Sequence, residues 1–269
     1  MILVFIQMHA KPEHDGDSSA ALESISIRRA LKAGPGCVFV ASDFCQLEVR
    51  ILAHFCEDDR LQRFLCDGGD PFTSLASDWL SIPTQAVTET ERAKAKQCVY
   101  GIVYGMGPGL LAQKLGVTLH DASALMRSFS SRYPLIKRWE QRTLSCARAS
   151  SASHTLFRRR RHLPDLHSKI GAKKAAAERQ AINSVIQGTA SDIMKQAMMR
   201  VEERLAQLQL GGAICRCVLQ VHDELVYEVS REWATDVGSA LTTAMEECVE
   251  LSVPLRVSTK VGPTLGDLR

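Results

Sequence analysis

Three features that mark other protein classes are missing from this sequence of 269 residues. Its nine cysteines are scattered, with no C-x-x-C pair, so neither a disulfide framework nor a structural zinc site is expected. No glycine-rich G-x-x-x-x-G-K-[ST] loop occurs, which excludes a P-loop nucleotidase. The apolar opening MILVFIQMH is too short to span a bilayer and lacks the basic start of a signal peptide. We therefore expect an intracellular chain with reduced cysteines and no membrane partner.

Length and charge leave the remaining classes open. A chain of 269 residues forms one large domain or two small ones with a real core. Its net charge of +3 is compatible with a nucleic-acid partner, but only a cluster of basic residues would argue for one. No internal repeat or low-complexity tract is visible, so the function has to be sought in local motifs.

Hydrophobic periodicity predicts strands near both ends of the chain and a helical block between them. The predicted strands are CVFVASDF, AICRCVLQV, LVYEV and VPLRVSTKV. Helices are predicted over about 46–65, 90–104, 118–150 as one or two helices, 173–210 with Gly188 as a candidate interruption, and 231–250. Residues 155–166 are typical of a loop or short ribbon, and 1–24 of a divergent or disordered arm. This order predicts an α+β fold whose small sheet is assembled from distant segments.

Two aspartates stand where predicted strands end. In QVHDELVYEV, the polar residues His222, Asp223 and Glu224 interrupt a strand pattern, and FVASDF runs an apolar strand into Asp43. A tight turn alone would favour Asp223, because aspartate tolerates positive φ. Alternatively, the two aspartates meet at one end of a shared sheet, where Mg²⁺ would remove their repulsion. Two such ions about 3.5–4 Å apart would serve an in-line displacement.

A second polar series recurs every fourth residue in ERAKAKQCVYGIVYG. Because four residues turn a helix by about 400°, Arg92, Lys96, Tyr100 and Tyr104 line one slowly winding face. Two cations followed by two aromatics suit a triphosphate and then a sugar and base. The alternative is a solvated charge pair followed by tyrosines of the core.

Two further groups suit a nucleic-acid partner. Arg179, Asn183 and Gln187 also lie four apart and could donate to minor-groove acceptors, which are alike in A·T and T·A pairs. A stripe facing solvent is the alternative. Four consecutive arginines are candidate phosphate contacts through counterion release, with a solvated loop as the alternative: Arg158, Arg159, Arg160 and Arg161.

Together, these motifs resemble those of family A DNA polymerases, the DNA polymerase I type. SDFCQLEVRILAH is similar to the first palm motif, and RAKAKQCVYGIVYG to the fingers-helix pattern Arg-x3-Lys-x3-aromatic-x3-Tyr-Gly. VHDE is similar to the third motif, and TLFRRRRHLPDL and AERQAINSVIQGTASDIMK to the region that connects them. The resemblance is colinear from about Ile25 to Arg269. Within the family it is nearest to the theta type, with the nu type second.

The resemblance implies a right-hand polymerase fold and its reaction. A palm with a small antiparallel sheet would cover 25–62 and 176–269, and mostly helical fingers 63–175, with the motif helix at 90–105. The reaction would be template-directed addition of deoxynucleotides to a primer 3′ hydroxyl, in DNA replication or repair. Primer–template DNA and deoxynucleoside triphosphates would be the partners, two Mg²⁺ ions the cofactors, with Mn²⁺ able to substitute, and a monomer the working form.

The resemblance also implies roles for individual residues. The metal ligands would be Asp43, Asp223 and the backbone carbonyl of Phe44, with Glu224 beside them in the catalytic group. Arg92 and Lys96 would hold the triphosphate, with Lys96 also donating a proton to the leaving pyrophosphate. The other nucleotide contacts would be Gln46, Glu48 against the 2′ face of the sugar, Tyr100 beside the sugar and Tyr104 at the templating position. The DNA contacts would be Arg158, Arg159, Arg160, Arg161, Arg179, Asn183, Gln187 and His222.

The sequence departs from the family pattern at several points. Phe44 replaces the usual tyrosine, Cys45 the usual serine and Arg158 the usual glycine, and Phe72 stands where bacterial members usually have histidine. Each metal carboxylate is retained. The thumb and exonuclease-like domain of the family have no visible counterpart in 1–24, so we expect palm and fingers alone, as a fragment or truncated form.

Three functional classes therefore remain open: an active polymerase, a catalytically weak or inactive DNA-binding remnant, and a metal-dependent nuclease. A theta or nu type would act in the nucleus, with an organelle or the bacterial cytoplasm as alternatives.

Overall fold

The computed structural model describes residues 27–67 and 69–268, and the arm predicted at 1–24 lies outside them. Its helices are α1 (Ile27–Ala30), α2 (Leu47–Cys56), α3 (Asp59–Cys66), α4 (Pro71–Leu80), α5 (Glu89–Val103), α6 (Pro108–Leu115), α7 (Leu119–Arg132), α8 (Pro134–Ser150), α9 (Gly171–Leu205) and α10 (Ala234–Glu246). Its strands are β1 (Cys37–Phe44), β2 (Ala152–His154), β3 (Arg160–His162), β4 (Cys215–Val221), β5 (Glu224–Ser230) and β6 (Val257–Gly262). The α+β prediction is confirmed.

Four strands from both ends of the chain form one antiparallel sheet in the order β4–β5–β1–β6. β1 is an inner strand, and its Asp43 is paired with Glu224 of β5 and Ser258 of β6. The last strand is shorter than predicted. Val253 and Leu255, expected within it, precede β6 and are buried in the core instead.

The two faces of β1 have different surroundings because successive side chains point in opposite directions. Val40 and Phe44 belong to the main hydrophobic core, on the face that α10 covers. Phe39 and Ala41 lie on the other face, in a smaller apolar cluster. Asp43 continues this second face, so its carboxylate is directed away from the main core.

The segment between β1 and β2 is helical, and short polar caps define its helices. Asp58, Asp70 and Thr118 accept hydrogen bonds from backbone N–H groups at the starts of α3, α4 and α7. Pro134 starts α8, so 118–150 forms two helices rather than one. Across the two described ranges, no helix is both long enough and apolar enough to cross a membrane.

Local sequence signals fix both ends of α5, the predicted motif helix. At its start, Thr88 and Glu91 form a capping box in which each side chain accepts from the other's backbone N–H, at 3.3 and 2.8 Å. After its end, Gly105 adopts a left-handed φ of 59°, and the Met106 N–H donates to the Gly101 carbonyl at 2.6 Å. The helix therefore begins and ends close to the predicted residues.

Helix α9 runs through Gly188 without the interruption that the sequence left open. A Cβ placed on Gly188 would lie 2.6 Å from the methyl carbon of Thr155, which leads from β2 into the arginine loop. The Leu156 N–H donates to Thr189 at 3.0 Å, and Arg159 donates to the Gly188 carbonyl at 3.0 Å. The glycine therefore serves close approach of the β2–β3 ribbon to the helix.

Gly188→Ala should destabilise this contact. Overpacking of this kind costs about 1–3 kcal/mol, against about 1 kcal/mol gained in helix propensity, so we expect a lower midpoint of thermal unfolding. Thr155→Ser removes the methyl group but keeps the hydroxyl that accepts from the Arg159 N–H at 3.1 Å. In the Gly188→Ala background, Thr155→Ser should therefore raise the unfolding midpoint back toward that of the wild type. A double variant as unstable as Gly188→Ala alone would contradict the contact.

Candidate active site

The two candidate metal aspartates lie at one end of the sheet. Asp43 is the last residue but one of β1, and Asp223 lies in the two-residue turn between β4 and β5. The Phe44 N–H donates to the Asp223 carbonyl at 3.2 Å, and this hydrogen bond joins the end of β1 to the turn. The side chains of Asp43 and Asp223 line the same cavity and lie close enough for the charge of Asp223 to act on Asp43. This is the meeting of carboxylates that the strand pattern indicated.

The turn itself does not require the aspartate. His222 is the residue with a positive φ, at 53°, whereas Asp223 has a negative φ. Gln220 supports the turn by donating from its side-chain amide to the His222 carbonyl at 2.9 Å. The conformational explanation for Asp223 therefore fails, since tolerance of positive φ is needed one residue earlier.

The electrostatics of the aspartate pair favour a bound cation. Partial burial in the cleft, followed by the charges of Asp223 and Glu224, raises the pKa of Asp43 to about 7, while Lys260 acts in the opposite direction. Within the described ranges, no group of three or more His, Cys, Asp or Glu side chains converges on a common site. Two carboxylates with ligands from backbone, water and substrate phosphate are the arrangement that Mg²⁺ commonly takes.

A cavity of about 280 Å³ lies between this end of the sheet and α5. It gathers most of the residues that the sequence singled out for metal and nucleotide binding: Asp43, Phe44, Gln46, Glu48, Arg92, Lys96, Tyr100 and Asp223. Cys45, Leu47 and Phe72 complete its wall. The cavity therefore places carboxylates on one side and the cations and aromatic ring of α5 on the other.

Tyr104 lies at the rim of the site, where its hydroxyl donates to Glu48 at 2.7 Å and bridges α2 to the residue just after α5. The rings of Tyr100 and Tyr104 are stacked, with centroids 6.0 Å apart. Burial raises the pKa of Glu48, although the hydrogen bond from Tyr104 acts against it. Burial also raises the pKa of Tyr100 to about 12, so its ring is neutral at physiological pH.

The two cations of α5 have different surroundings. Arg92 donates from Nε and Nη2 to the two oxygens of Asp70, at 2.8 and 3.0 Å. Although burial acts to raise it, hydrogen bonds from Arg92 and Thr73 hold the pKa of Asp70 below its usual value. Lys96 is exposed, with its Nζ 5.8 Å from the ring centroid of Phe72. Asp70 was not predicted as a site residue, because its only signal in the sequence is that of a helix cap before Pro71.

Glu224 does not line the cavity of about 280 Å³. Its carboxylate lies 3.8 Å from Arg28, and with Asp43 and Lys260 it borders a second, smaller hollow of about 60 Å³. Its influence on Asp43 is exerted through charge. The structure therefore places Glu224 at the smaller hollow rather than in the wall of the larger cavity, and its catalytic role stays a prediction.

The polar stripe on α9 is not uniform. Arg179 and Gln187 are exposed, but Asn183 is half-buried against the end of α5. With its amide nitrogen turned toward the backbone, Asn183 donates to the carbonyls of Val103 and Tyr104, at 3.0 and 3.2 Å. Asn183 thus connects α9 to α5, a contact that the sequence analysis did not foresee.

The four consecutive arginines also differ in their contacts: two of them bind side chains of α9 and two do not. Arg159 pairs with Asp192 at 2.8 Å and Arg161 donates to Ser184 at 2.8 Å, so both attach the ribbon to α9. Arg160 only approaches the Ser150 carbonyl, at 3.5 Å. Arg158 is exposed and adopts a left-handed φ of 62°, where the family usually has glycine. Contacts of these arginines, and of the exposed His222, with DNA stay predictions.

Comparison with known proteins identifies the family. The model of "DNA polymerase family A" matches residues 18–267, nearly the whole chain, and this range contains every motif segment quoted above. The chain belongs to this family. Its sheet and packed helices form the polymerase palm, and the helical block forms the fingers.

Relatives of two types are about equally similar. The chain is 38% identical over 234 residues to DNA polymerase theta of Drosophila melanogaster, covering 86% of this chain and 11% of that protein. It is 39% identical over 236 residues to the thermostable DNA polymerase I of Thermus aquaticus, covering 88% of this chain and 28% of that protein. The chain thus spans less than a third of the length of these curated relatives.

A solved structure is similar over most of the chain. The POL domain of Pol1 from M. smegmatis, in complex with DNA primer-template and dNTP, matches with a TM-score of 0.84 and 33% sequence identity. The match covers 90% of this chain and 42% of that one.

Proposed function

We propose that this chain is a template-directed DNA polymerase that adds deoxynucleotides to a primer 3′ hydroxyl and releases pyrophosphate. The observation that carries the proposal is the composition of the cavity wall. Asp43 and Asp223 face Arg92, Lys96 and Tyr100 across a space of about 280 Å³. Metal-binding carboxylates opposite phosphate-binding cations are what phosphoryl transfer from a nucleoside triphosphate needs.

The residues at the end of the sheet fit Mg²⁺, with Mn²⁺ able to substitute. Asp43, Asp223 and the backbone carbonyl of Phe44 would hold two ions, which when bound stabilise the attacking and leaving oxygens. The raised pKa of Asp43, about 7, supports this fit because it reflects burial and carboxylate repulsion that a divalent ion would offset.

The residues on and beside α5, together with Gln46 before α2, would contact the nucleotide. Arg92 and Lys96 would bind the triphosphate, and the Lys96 ammonium would donate a proton to the leaving pyrophosphate. Tyr100 would lie beside the sugar, Tyr104 at the templating position, and Gln46 against the nucleotide in the cavity wall.

The DNA would lie along the open side of the sheet and α9. In this proposal the palm comprises 25–62 and 176–269 and the fingers 63–175, and the chain works as a monomer on primer–template DNA. Arg158, Arg160 and Arg179 are exposed and, unlike Arg159 and Arg161, do not bind a side chain of α9, so they are the first candidates for phosphate contacts. Gln187 and His222 would lie near the terminal base pairs. Action in the nucleus, expected of a theta or nu type, is part of the proposal.

A primer-extension assay tests the proposal against its two alternatives. A labelled primer annealed to template is incubated with the chain, four deoxynucleotides and Mg²⁺. Longer products support a polymerase. An unchanged primer with a mobility shift would mean a DNA-binding remnant, and shortened primers a metal-dependent nuclease. Both of the latter outcomes overturn the proposal.

Glu48→Ala should relax the choice of sugar. If the Glu48 carboxylate excludes a 2′ hydroxyl, the ratio of kcat/KM for deoxynucleotides over ribonucleotides should fall by about tenfold or more. Tyr104→Phe is the matched control, because it removes the 2.7 Å hydrogen bond without shortening Glu48. A similar loss of selectivity in both variants would assign the effect to the bridge, and unchanged selectivity in Glu48→Ala would place Glu48 away from the sugar.

A further inference from the structure

Arg92 reaches the cavity with one side of its guanidinium already occupied. Its Nε and Nη2 donate to both carboxylate oxygens of Asp70, at 2.8 and 3.0 Å, and its Nη1 donates to Glu89 at 3.0 Å. Two parallel hydrogen bonds between arginine and a carboxylate fix the plane of the guanidinium as well as its position. Three of its five N–H donors are thereby used, and among the described residues one donor on Nη1 and one on Nη2 stay available.

Asp70 is itself held on its other side. Its Oδ2 accepts from the backbone N–H and the hydroxyl of Thr73, at 2.7 and 2.6 Å, as the N-cap of α4. Helix α4 packs along α5, which carries Arg92. The carboxylate is thus fixed to one helix and directed at a side chain of its neighbour, so it links the start of α4 to α5.

From this geometry we propose that Asp70 is a positioning residue for nucleotide binding, which holds Arg92 with the end of its guanidinium presented to the triphosphate. This inference rests on the proposed function and deepens it by adding a residue that does not touch the substrate. A lysine-like flexible cation would lose more rotational freedom on binding phosphate than an arginine already fixed in place. Asp70 therefore contributes to affinity for the triphosphate more than to the chemical step.

The test is Asp70→Asn, assayed by steady-state kinetics of single-nucleotide incorporation. Asparagine is as good an N-cap as aspartate, so α4 should be preserved, but its amide cannot accept from both Arg92 nitrogens. We expect KM for the deoxynucleotide to rise about tenfold while kcat changes less than about threefold. Calorimetric titration of dATP onto the chain with a dideoxy-terminated primer–template and Mg²⁺ should show a similar loss of affinity without turnover.

Asp78→Asn is the matched control. Asp78 lies on the same helix and accepts two hydrogen bonds from Arg132, at 2.9 and 2.5 Å, away from the cavity. The Asp78→Asn variant loses an arginine–carboxylate pair of the same kind. It should therefore lower thermal stability at least as much as Asp70→Asn and leave KM for the deoxynucleotide unchanged.

A double-mutant cycle then asks whether Asp70 acts through Arg92. In the Arg92→Ala background, Asp70→Asn should cause no further loss of dATP affinity. Unchanged KM in Asp70→Asn, tighter dATP binding, or an equal loss in both backgrounds would each overturn the inference. If the wild-type chain binds dATP but does not extend primers, the proposed function fails while the binding cycle still decides the role of Asp70. If it does neither, both are overturned.

Discussion

Asp223→Ala should abolish nucleotide incorporation and leave the chain folded. The substitution removes one of the two aspartates that line the cavity, and without it the proposed metal site would have too little negative charge to retain Mg²⁺. We expect the rate of primer extension to fall by at least about a thousandfold. The fold should tolerate the change, because Asp223 lies in a turn whose positive φ belongs to His222 and it repels Asp43.

Thermal unfolding and the titration of Asp43 provide the readouts that separate loss of chemistry from loss of structure. The unfolding midpoint should be unchanged or slightly higher, and the pKa of Asp43 should fall from about 7 toward its ordinary value as one of its causes is removed. Asp236→Ala, which removes an exposed carboxylate of α10, is the control and should extend primers normally. Persistent Mg²⁺-dependent extension by Asp223→Ala would show that the metal site lies elsewhere.

Much of this site was predictable because its signals are local. An apolar strand that runs into Asp43, and a strand pair with a polar tip at Asp223, both place carboxylates at strand ends whatever the rest of the chain does. The four-residue spacing of Arg92, Lys96 and Tyr100 defines a helix face without any tertiary information. The capping box and Gly105 likewise mark the ends of α5 in the sequence itself. Resemblance to the family then supplied the one thing that spacing could not, which is that these segments face each other.

The contacts that could not be predicted from the sequence are those that side chains make from one helix to another. Asp70 and Arg92 are 22 positions apart, and nothing in either segment indicates that a helix cap also binds an arginine of the next helix. Asn183 reads as part of a polar stripe, yet its amide faces the end of α5 because the two helices approach there. Gly188 has the same sequence signal whether a helix breaks or a neighbour comes close, and only the position of Thr155 decides between them.

The start of the last strand was also hard to predict. Val253 and Leu255 have the composition of a strand but fill the core ahead of β6, because burial and strand pairing favour the same residue types. The turn at His222 shows that a correctly predicted turn does not reveal its backbone conformation. A two-residue turn was expected from the pattern, but which of its residues takes the positive φ depends on the twist of the strands on both sides.

Lys96→Ala should have the second largest effect on activity, and it should fall mainly on kcat. Lys96 is the exposed cation in the cavity wall, and its ammonium lies 5.8 Å from the Phe72 ring rather than in an ion pair with a described carboxylate. In the proposed function its charge would therefore act where negative charge develops on the leaving pyrophosphate. Removing one such group costs about 10²–10³ in rate, because the interaction is strongest in the transition state.

Two neighbouring substitutions make this prediction specific. Lys94 lies two residues earlier on α5, a turn of about 200°, so it points away from the cavity and Lys94→Ala should keep normal kcat. Lys96→Arg keeps the charge but donates a proton far less readily, so it should restore deoxynucleotide KM more completely than kcat. A loss confined to KM in Lys96→Ala would instead make Lys96 an ordinary phosphate ligand. In that case its contribution would resemble that of Arg92, and the proton to pyrophosphate would have to come from water.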